Sequence, residues 1–294
     1  MRWRQIKDSA TTKSMRLALA LVNSIFLLLV IGLLAKARPI LARQSILDLL
    51  LSSSWHPLKG EFGFYPFIIG TLAATAMAML LAIPVCLLSA IYLSEYAHRR
   101  VREFVRPVVD LLAGIPSVIY GFWGVIVVVP LVRALGQAVG SPTTGYSLLA
   151  GSIILAIMVF PIIISVSTDV LRSVPAEATE ASLALGATKW ETVKHVILRS
   201  ALRGIMAAIV LGFARAFGET MAVLMVVGNV PKVPTSLFDP AYPLPALIAN
   251  NYGEMMSIPL YDSALMFAAL VLLLVVAGFN LAAHLILSRV ERRR

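Results

Sequence analysis

Six long apolar runs constrain this chain more than any other feature. They fall at Leu17–Ala35, Phe67–Leu93, Val108–Val132, Leu148–Val166, Gly204–Gly228 and Ser263–Leu287. About 20 apolar residues carry a helix across roughly 30 Å of hydrocarbon, and all six runs are near or above that length. In hydrocarbon every backbone polar group must be satisfied within the protein, which leaves helices and closed barrels. Barrel strands alternate apolar and polar residues, whereas these runs are unbroken. The fold class predicted is an all-α polytopic membrane protein with six transmembrane helices. Composition agrees: 59% of residues are hydrophobic and 14% charged, against about 25% charged in a soluble domain. A soluble enzyme and a disordered chain are excluded on that ground. The first run is long for a signal peptide, and Ala35-Lys36-Ala37-Arg38 is a poor cleavage site.

The net charge of +10 points to basic loops on one side of a membrane rather than to nucleic acid. Basic residues cluster in the N-terminal tail (Arg2 to Arg16), the second loop (Arg99, Arg100, Arg102, Arg106), the fourth loop (Arg172 to Arg203) and the C-terminal tail (Arg289 to Arg294). Those four segments hold 18 Lys and Arg, the opposite side six, and Arg215 falls inside the fifth run. The positive-inside rule then puts both termini in the cytoplasm, and an even number of spans agrees in placing them on one side. Of the two long external segments, the first includes Ile46–Leu51, expected as an amphipathic surface helix. The second carries six prolines and is expected to form an ordered cap, with a short helix around Ala246–Tyr252. Cys86 lies in an apolar run as a core residue. There is no phosphate-cradling G-x-x-x-x-G-K-[ST], no metal-ligand cluster and no nucleophile elbow. Uphill transport by this chain would draw its energy from an ion gradient or another subunit.

The cytoplasmic loop between runs four and five has its own structure. Pro175 suits the first turn of a helix, Glu177 and Glu180 complement its positive end, and small residues follow at Ala178, Ala181, Ser182 and Ala184. Gly186 permits a left-handed stop, and a second helix is expected from about Lys189 to Leu198. A solvated amphipathic loop is the alternative reading. Within run five, Arg215 and Glu219 stand four apart, on one helix face, and can pair. Intramembrane charges usually face a bundle interior or a pathway, and a guanidinium suits a phosphate-like oxyanion; a structural ion pair is the alternative. Gly212 and Gly218 are expected to admit close helix contact beside the pair. In run three, Gly114, Pro116, Ser117, Tyr120, Gly121 and Gly124 make a small, polar face, on which Ser117 and Tyr120 could donate to an oxyanion. Pro84 and Pro116 are expected to kink their helices, Asp110 to be an acid at a helix N-terminus, and Asp169 to pair with Arg172.

Two of these segments carry a resemblance. Glu180-Ala181-Ser182 through Gly186, with Val196 and Leu198 further on, resembles the E-A-A loop of ABC importer permeases; Ser182 replaces the third small residue and Arg199 the usual proline. The resemblance implies that the loop docks on an ATPase subunit, with roles for Glu177, Glu180, Ala181, Ser182, Gly186, Ala187 and Trp190. Arg215-Ala-Phe-Gly-Glu-Thr220 resembles the R-A-x-G-E-T motif of phosphate ABC importer permeases, and Glu219 to Val223 is more similar to the PstC-like than to the PstA-like subunit. Segments from Trp55 to Thr71, Leu112 to Gly121 and Leu244 to Glu254 agree. The implied fold is the type I importer permease, with a core over residues 67–288 between a segment at 1–66 and a basic tail at 289–294. The resemblance implies Arg215, Glu219 and Thr220 as pathway residues, joined by Ser117 and Tyr120. It implies no cofactor on this chain and ATP-Mg on partner ATPase subunits. Other implied partners are a homologous PstA-like permease and an extracytoplasmic phosphate-binding protein, in a bacterial inner membrane. A permease for molybdate, sulfate or phosphonate is the nearest alternative, and a stand-alone secondary transporter a more distant one.

Overall fold

The fold is described from a computed structural model covering residues 2–254 and 257–292. The chain is helical along most of its length, and six helices are long and apolar enough to cross a membrane. The first, α1 (Arg2–Leu41), is one continuous helix, longer at both ends than the apolar run. A short helix, α2 (Ile46–Leu51), follows, burying Leu49 and exposing Ile46, Leu47 and Leu51 as expected. A two-stranded hairpin, β1 (Trp55–His56) and β2 (Glu61–Phe62), comes next, with Trp55 opposite Phe62 and His56 opposite Glu61. The second spanning helix, α3 (Tyr65–Ile91), contains Pro84 without being interrupted by it and is followed by a widened π turn over Tyr92–Tyr96.

The third apolar run is not one helix. Residues from Arg99 to Gly114 form a separate helix, α4, on which Arg99, Arg102, Glu103 and Arg106 recur at helical spacing. Pro116 ends it rather than kinking it: Ile115 is held extended (φ −68°, ψ 128°), because a proline disfavours helical geometry in the residue before it. The span proper is α5 (Ser117–Trp123), a π turn over Gly124–Val128 and α6 (Val129–Ala138). The span is therefore displaced from Val108–Val132 to 117–138, and Asp110 stands near the end of α4, not at a helix start. The next helix, α7 (Leu148–Arg172), is capped by Ser147, whose Oγ accepts from the Ala150 N–H at 3.2 Å. After the loop helices α8 (Ala176–Ala184) and α9 (Lys189–Thr192), a π turn over Val193–Ile197 leads without a break into α10 (Leu198–Phe217). The second loop helix expected at 189–198 is thus the foot of the fifth span.

That span also departs from expectation. Its helix stops at Phe217, and a short α11 (Met221–Val226) restarts after Gly218-Glu219-Thr220. The cap contains α12 (Leu244–Asn251), close to the helix expected there. The last helix, α13 (Tyr261–Arg292), continues through 289–292; Arg293 and Arg294 of the expected tail lie outside the described residues.

The core is a bundle built on α7, against which α3, α4, α10 and α11 pack. One cluster at its centre joins Ala78, Met79 and Cys86 of α3 to Leu155, Val159 and Ile163 of α7 and Val223 of α11. A second locks α5 and α6 to α7 and α11 through Tyr120, Val132, Ile154 and Ala222. At the cap end, Trp55 makes edge-on contacts with Phe62, Phe64, Phe67 and Tyr261, which pins the hairpin to α3 and α13. Among the residues whose burial is described, helix α1 meets the rest near its end: Ala37 and Ile40 are buried, the Ile40 N–H donates to Ser263 Oγ at 3.0 Å, and residues 11–29 are exposed.

Candidate functional site

The break between α10 and α11 positions the charged pair. Gly218 is the cap residue after α10 and Thr220 the residue before α11 (φ −116°). Glu219, between them, is 8% exposed. Its Oε1 accepts from the backbone N–H of Thr220 at 3.2 Å and of Ala222 at 3.4 Å, so the carboxylate satisfies the amides that a helix start leaves unpaired. Its Oε2 lies 4.0 Å from Arg215 Nη2, the outer limit of an ion pair. Arg215 and Glu219 are therefore neighbours across a helix end rather than successive turns of one helix. The two differ in surroundings: the Arg215 side chain is 48% exposed and that of Glu219 7%. Behind Glu219 is a gap of about 10 Å³, walled by Thr71 and Thr75 of α3 and by Pro243 and Pro245 of the cap. That space is at the lower limit for a single water, so the carboxylate is held dry and fixed while its arginine projects.

Gly212 allows the close approach expected of it: a Cβ there would meet Ile163 at 2.7 Å and Met79 at 3.3 Å. Gly218 does not, since a Cβ there would meet only the backbone of Ala214 and Arg215; its part is to end α10. Thr220 Oγ1 donates weakly to the Gly218 carbonyl at 3.4 Å. Helix α5 packs on α11 at Gly121, where a Cβ would overlap Met225 Sδ at 2.6 Å. Ser117 opens α5 and is half-buried. The single O–H of Tyr120, expected to be available to an oxyanion, donates to the Leu112 carbonyl at 2.8 Å and ties α5 to α4 across the Pro116 break.

At the other end of the bundle the elbow forms as anticipated. Pro175 precedes the first helical residue of α8. Gly186 takes φ +86°, its N–H donates to Leu183 O at 3.0 Å, and the Ala187 N–H donates to Ser182 O at 3.3 Å, the paired bonds of a left-handed helix stop. No residue of α8 is buried. Leu185 is 90% exposed and Trp190 52%, so the elbow presents Glu177, Glu180, Ala181 and two large apolar side chains to whatever lies beyond. Glu180 also walls a cavity of about 290 Å³ with Glu95 and Arg172. Ser182 Oγ and Thr192 Oγ1 share a hydrogen bond of 2.9 Å, which fastens α8 to α9. Arg172 donates to the Leu93 carbonyl at 3.2 Å, and no ion pair joins it to Asp169 among the described residues.

Two features of the elbow are missed by the sequence reading. Thr188 and Glu191 form a reciprocal capping box, the Thr188 N–H donating to Glu191 Oε2 at 2.8 Å and the Glu191 N–H to Thr188 Oγ1 at 3.3 Å; the spacing T-x-x-E was its signal. Lys189 donates to the Glu95 carbonyl and sits 4.7 Å from the centre of the Tyr96 ring, which pins α9 to the π turn of α3. At the cap, the Asp239 carboxylate accepts from Thr235 Oγ1 at 2.8 Å and from the N–H groups of Thr235 and Ser236 at 2.9 Å. Those bonds, the Thr235 hydroxyl first, hold its pKa below the usual carboxylate range.

This arrangement has clear relatives. Residues 82–294 match the family model described as the inner membrane component of binding-protein-dependent transport systems. The chain is 40% identical over 247 residues to the probable ABC transporter permease protein YqgH of Bacillus subtilis, covering 83% of this chain and 79% of that protein. It is 37% identical over 259 residues to the phosphate transport system permease protein PstC of Mesorhizobium japonicum, with the same coverage. Among solved structures, a bacterial alginate ABC transporter in complex with alginate pentasaccharide-bound periplasmic protein superposes with a TM-score of 0.67, at 17% identity, over 98% of this chain and 97% of its own. The inward-facing MetNI methionine ABC transporter gives 0.59 at 23% identity, over 75% and 93%. The last two speak to the fold alone, but the family match spans most of the chain, and this protein belongs to the inner membrane components of binding-protein-dependent transport systems.

Proposed function

We propose that this chain is the PstC-like permease subunit of an ATP-driven importer of inorganic phosphate. The observation that carries the reading is the asymmetry of Arg215 and Glu219. A guanidinium half exposed at a helix break, with its carboxylate 4.0 Å away and already engaged by two amides, keeps donors free for a passing oxyanion. Glu219 positions Arg215 and limits how tightly the anion is held, and Thr220 and Ser117 border the same passage. The similarity to PstC proteins supports phosphate as the cargo.

In this reading the subunit sits in the bacterial inner membrane with both termini in the cytoplasm. A PstA-like second permease completes the pathway, and an extracytoplasmic phosphate-binding protein delivers the anion at the cap. ATP-Mg is held and hydrolysed by partner ATPase subunits docked on the elbow at Glu177–Trp190, and this chain binds no cofactor. ATP favours one of two pathway conformations by binding it more tightly, which is all that alternating access requires.

The test is uptake of labelled phosphate by cells lacking other phosphate importers, expressing the complex as wild type or with Arg215→Gln, at matched membrane levels. Uptake is expected to fall to background in the variant while assembly persists. Undiminished uptake refutes the pathway role of Arg215, and no uptake by an intact wild-type complex refutes phosphate.

A further inference from the structure

A second concave charged site lies away from the Arg215 break. Helix α4 packs against the last turns of α7, and a cavity of about 510 Å³ opens between them. Arg102 and Arg106 reach its wall from α4, and Arg172 from α7. Asp110 and Asp169 share the lining. Arg99 and Glu103 at the same wall pair with each other at 2.7 Å and cancel. What remains is three guanidinium groups against two carboxylates, and among the described residues no carboxylate closes to ion-pair distance on any of the three. Arg102 and Arg106 act on Arg172 with like charge, opposed in part by Asp169 and Glu95. Like charges gathered in one recess repel, and a shared counter-anion is the simplest relief.

An independent observation points to the same occupant. Thr168 lines this cavity, is 8% exposed, and its Oγ1 has no hydrogen-bond partner. Buried hydroxyls are as a rule satisfied; this one is enclosed and unpartnered, and a rotation of the side chain toward the cavity would let it donate to an anion oxygen there.

We propose that the α4–α7 cavity is a second anion site, distinct from the Arg215 pathway, which takes a phosphate-class oxyanion. Arginine forks bind such oxygens two at a time, and Arg172 enters the site with its orientation already set by the Leu93 carbonyl. The two aspartates give the site a preference. A carboxylate only accepts hydrogen bonds, so Asp110 or Asp169 can accept from the P–OH of a protonated phosphate, whereas sulfate offers no proton at neutral pH and meets repulsion. Arg172 also walls the smaller cavity shared with Glu180, so the site lies one side chain from the elbow. The arginines would hold the anionic oxygens of free inorganic phosphate or of a lipid phosphodiester alike, but only the former offers a P–OH to the aspartates.

The experiment separates those sources. The full-length chain, purified with its partner subunits, is placed in nanodiscs of neutral phosphatidylcholine and carries Arg215→Gln so that the pathway pair does not contribute. Binding of labelled inorganic phosphate is measured with and without Arg102→Gln/Arg106→Gln. Saturable binding, weakened at least tenfold by the double substitution and displaced at least tenfold less well by sulfate, is the expected result. In a second arm, nanodiscs containing phosphatidylglycerol are analysed by native mass spectrometry. Loss of one retained phosphatidylglycerol in the double variant, without phosphate binding in the first arm, supports the site with a lipid headgroup as its occupant. Should the double variant fail to assemble, Thr168→Val takes its place and is expected to weaken binding severalfold. Phosphate binding and lipid retention that are both indifferent to these substitutions overturn the proposal, and equal competition by sulfate overturns the part given to the aspartates.

Discussion

Replacing Gly186 by alanine isolates what the elbow owes to one backbone angle. Gly186 sits at φ +86° with no atom within 4 Å of where a Cβ would stand, so the added methyl meets nothing and steric overlap drops out. What remains is the intrinsic cost of a left-handed conformation for an L-residue, about 1–2 kcal/mol. That cost falls on a turn closed by two amides, Gly186 to Leu183 and Ala187 to Ser182. A change of that size moves a local equilibrium by roughly 5- to 30-fold. Amide hydrogen exchange of residues 186 and 187 in the purified protein should therefore quicken by about that factor in Gly186→Ala. Asparagine tolerates the left-handed region better, so Gly186→Asn should quicken exchange less. Co-purification of ATPase subunits should weaken in the same order, while the transmembrane amides stay protected. Equal exchange in wild type and Gly186→Ala would refute the reasoning, because it would mean that the turn costs an alanine nothing. Equal effects of Ala and Asn would show that something other than the backbone angle is at work.

Further expectations concern the cap and the third span. Gly145 combines φ +92° with a Cβ position that overlaps the Val129 carbonyl, so Gly145→Ala should lower stability by roughly 2–5 kcal/mol in thermal unfolding; Gly60→Ala, with φ +76° but open space, should cost only the conformational part. Asp239 has its pKa lowered by bonds from Thr235 and Ser236, so its contribution is fully present above the unfolded value near 3.9 and is lost as pH falls through the lower folded value. Acid titration followed by exchange at Thr235 and Ser236 should show the cap loosening in that window, and Asp239→Asn should leave it loose at every pH.

The apolar runs made the number and rough position of the spans legible, because hydrocarbon thickness sets a length that composition alone can meet. The turn at Gly186 and the start after Pro175 were legible for a different reason, since those residue types have few conformations to choose from. The breaks were not. Hydropathy averages over a window, and a window spanning 204–228 cannot see that Gly218, Glu219 and Thr220 stop one helix and start another. The Glu219 carboxylate makes that interruption tolerable by taking two of the freed amides, a contact across three residues rather than a periodicity. The Pro116 break did carry a signal, through the constraint proline places on Ile115, and the spacing of Arg99, Arg102, Glu103 and Arg106 was that of a helix lying outside the span. The π turns at Tyr92–Tyr96, Gly124–Val128 and Val193–Ile197 have no local residue signature. At Gly124 the packing is at least visible in the structure, where a Cβ would meet Ile154 and Val226 at 2.9 Å.

The loose attachment of α1 has a consequence for biogenesis. Its residues 11–29 are exposed, and it joins the bundle only around Ala37, Ile40 and Ser263. Over residues 11–29 its flanks ask only for lipid, so that stretch is complete as soon as it enters the bilayer, while the Ile40 N–H waits for Ser263. The fifth span is the opposite case: the Glu219 carboxylate takes the amides of Thr220 and Ala222 from its own chain, but it is enclosed only once Thr71 and Thr75 of α3 and Leu155 of α7 are in place. Synthesis thus begins with a segment that needs little from the others and comes later to one whose surroundings several of them supply. A chain stalled midway would hold a finished anchor and an unfinished passage.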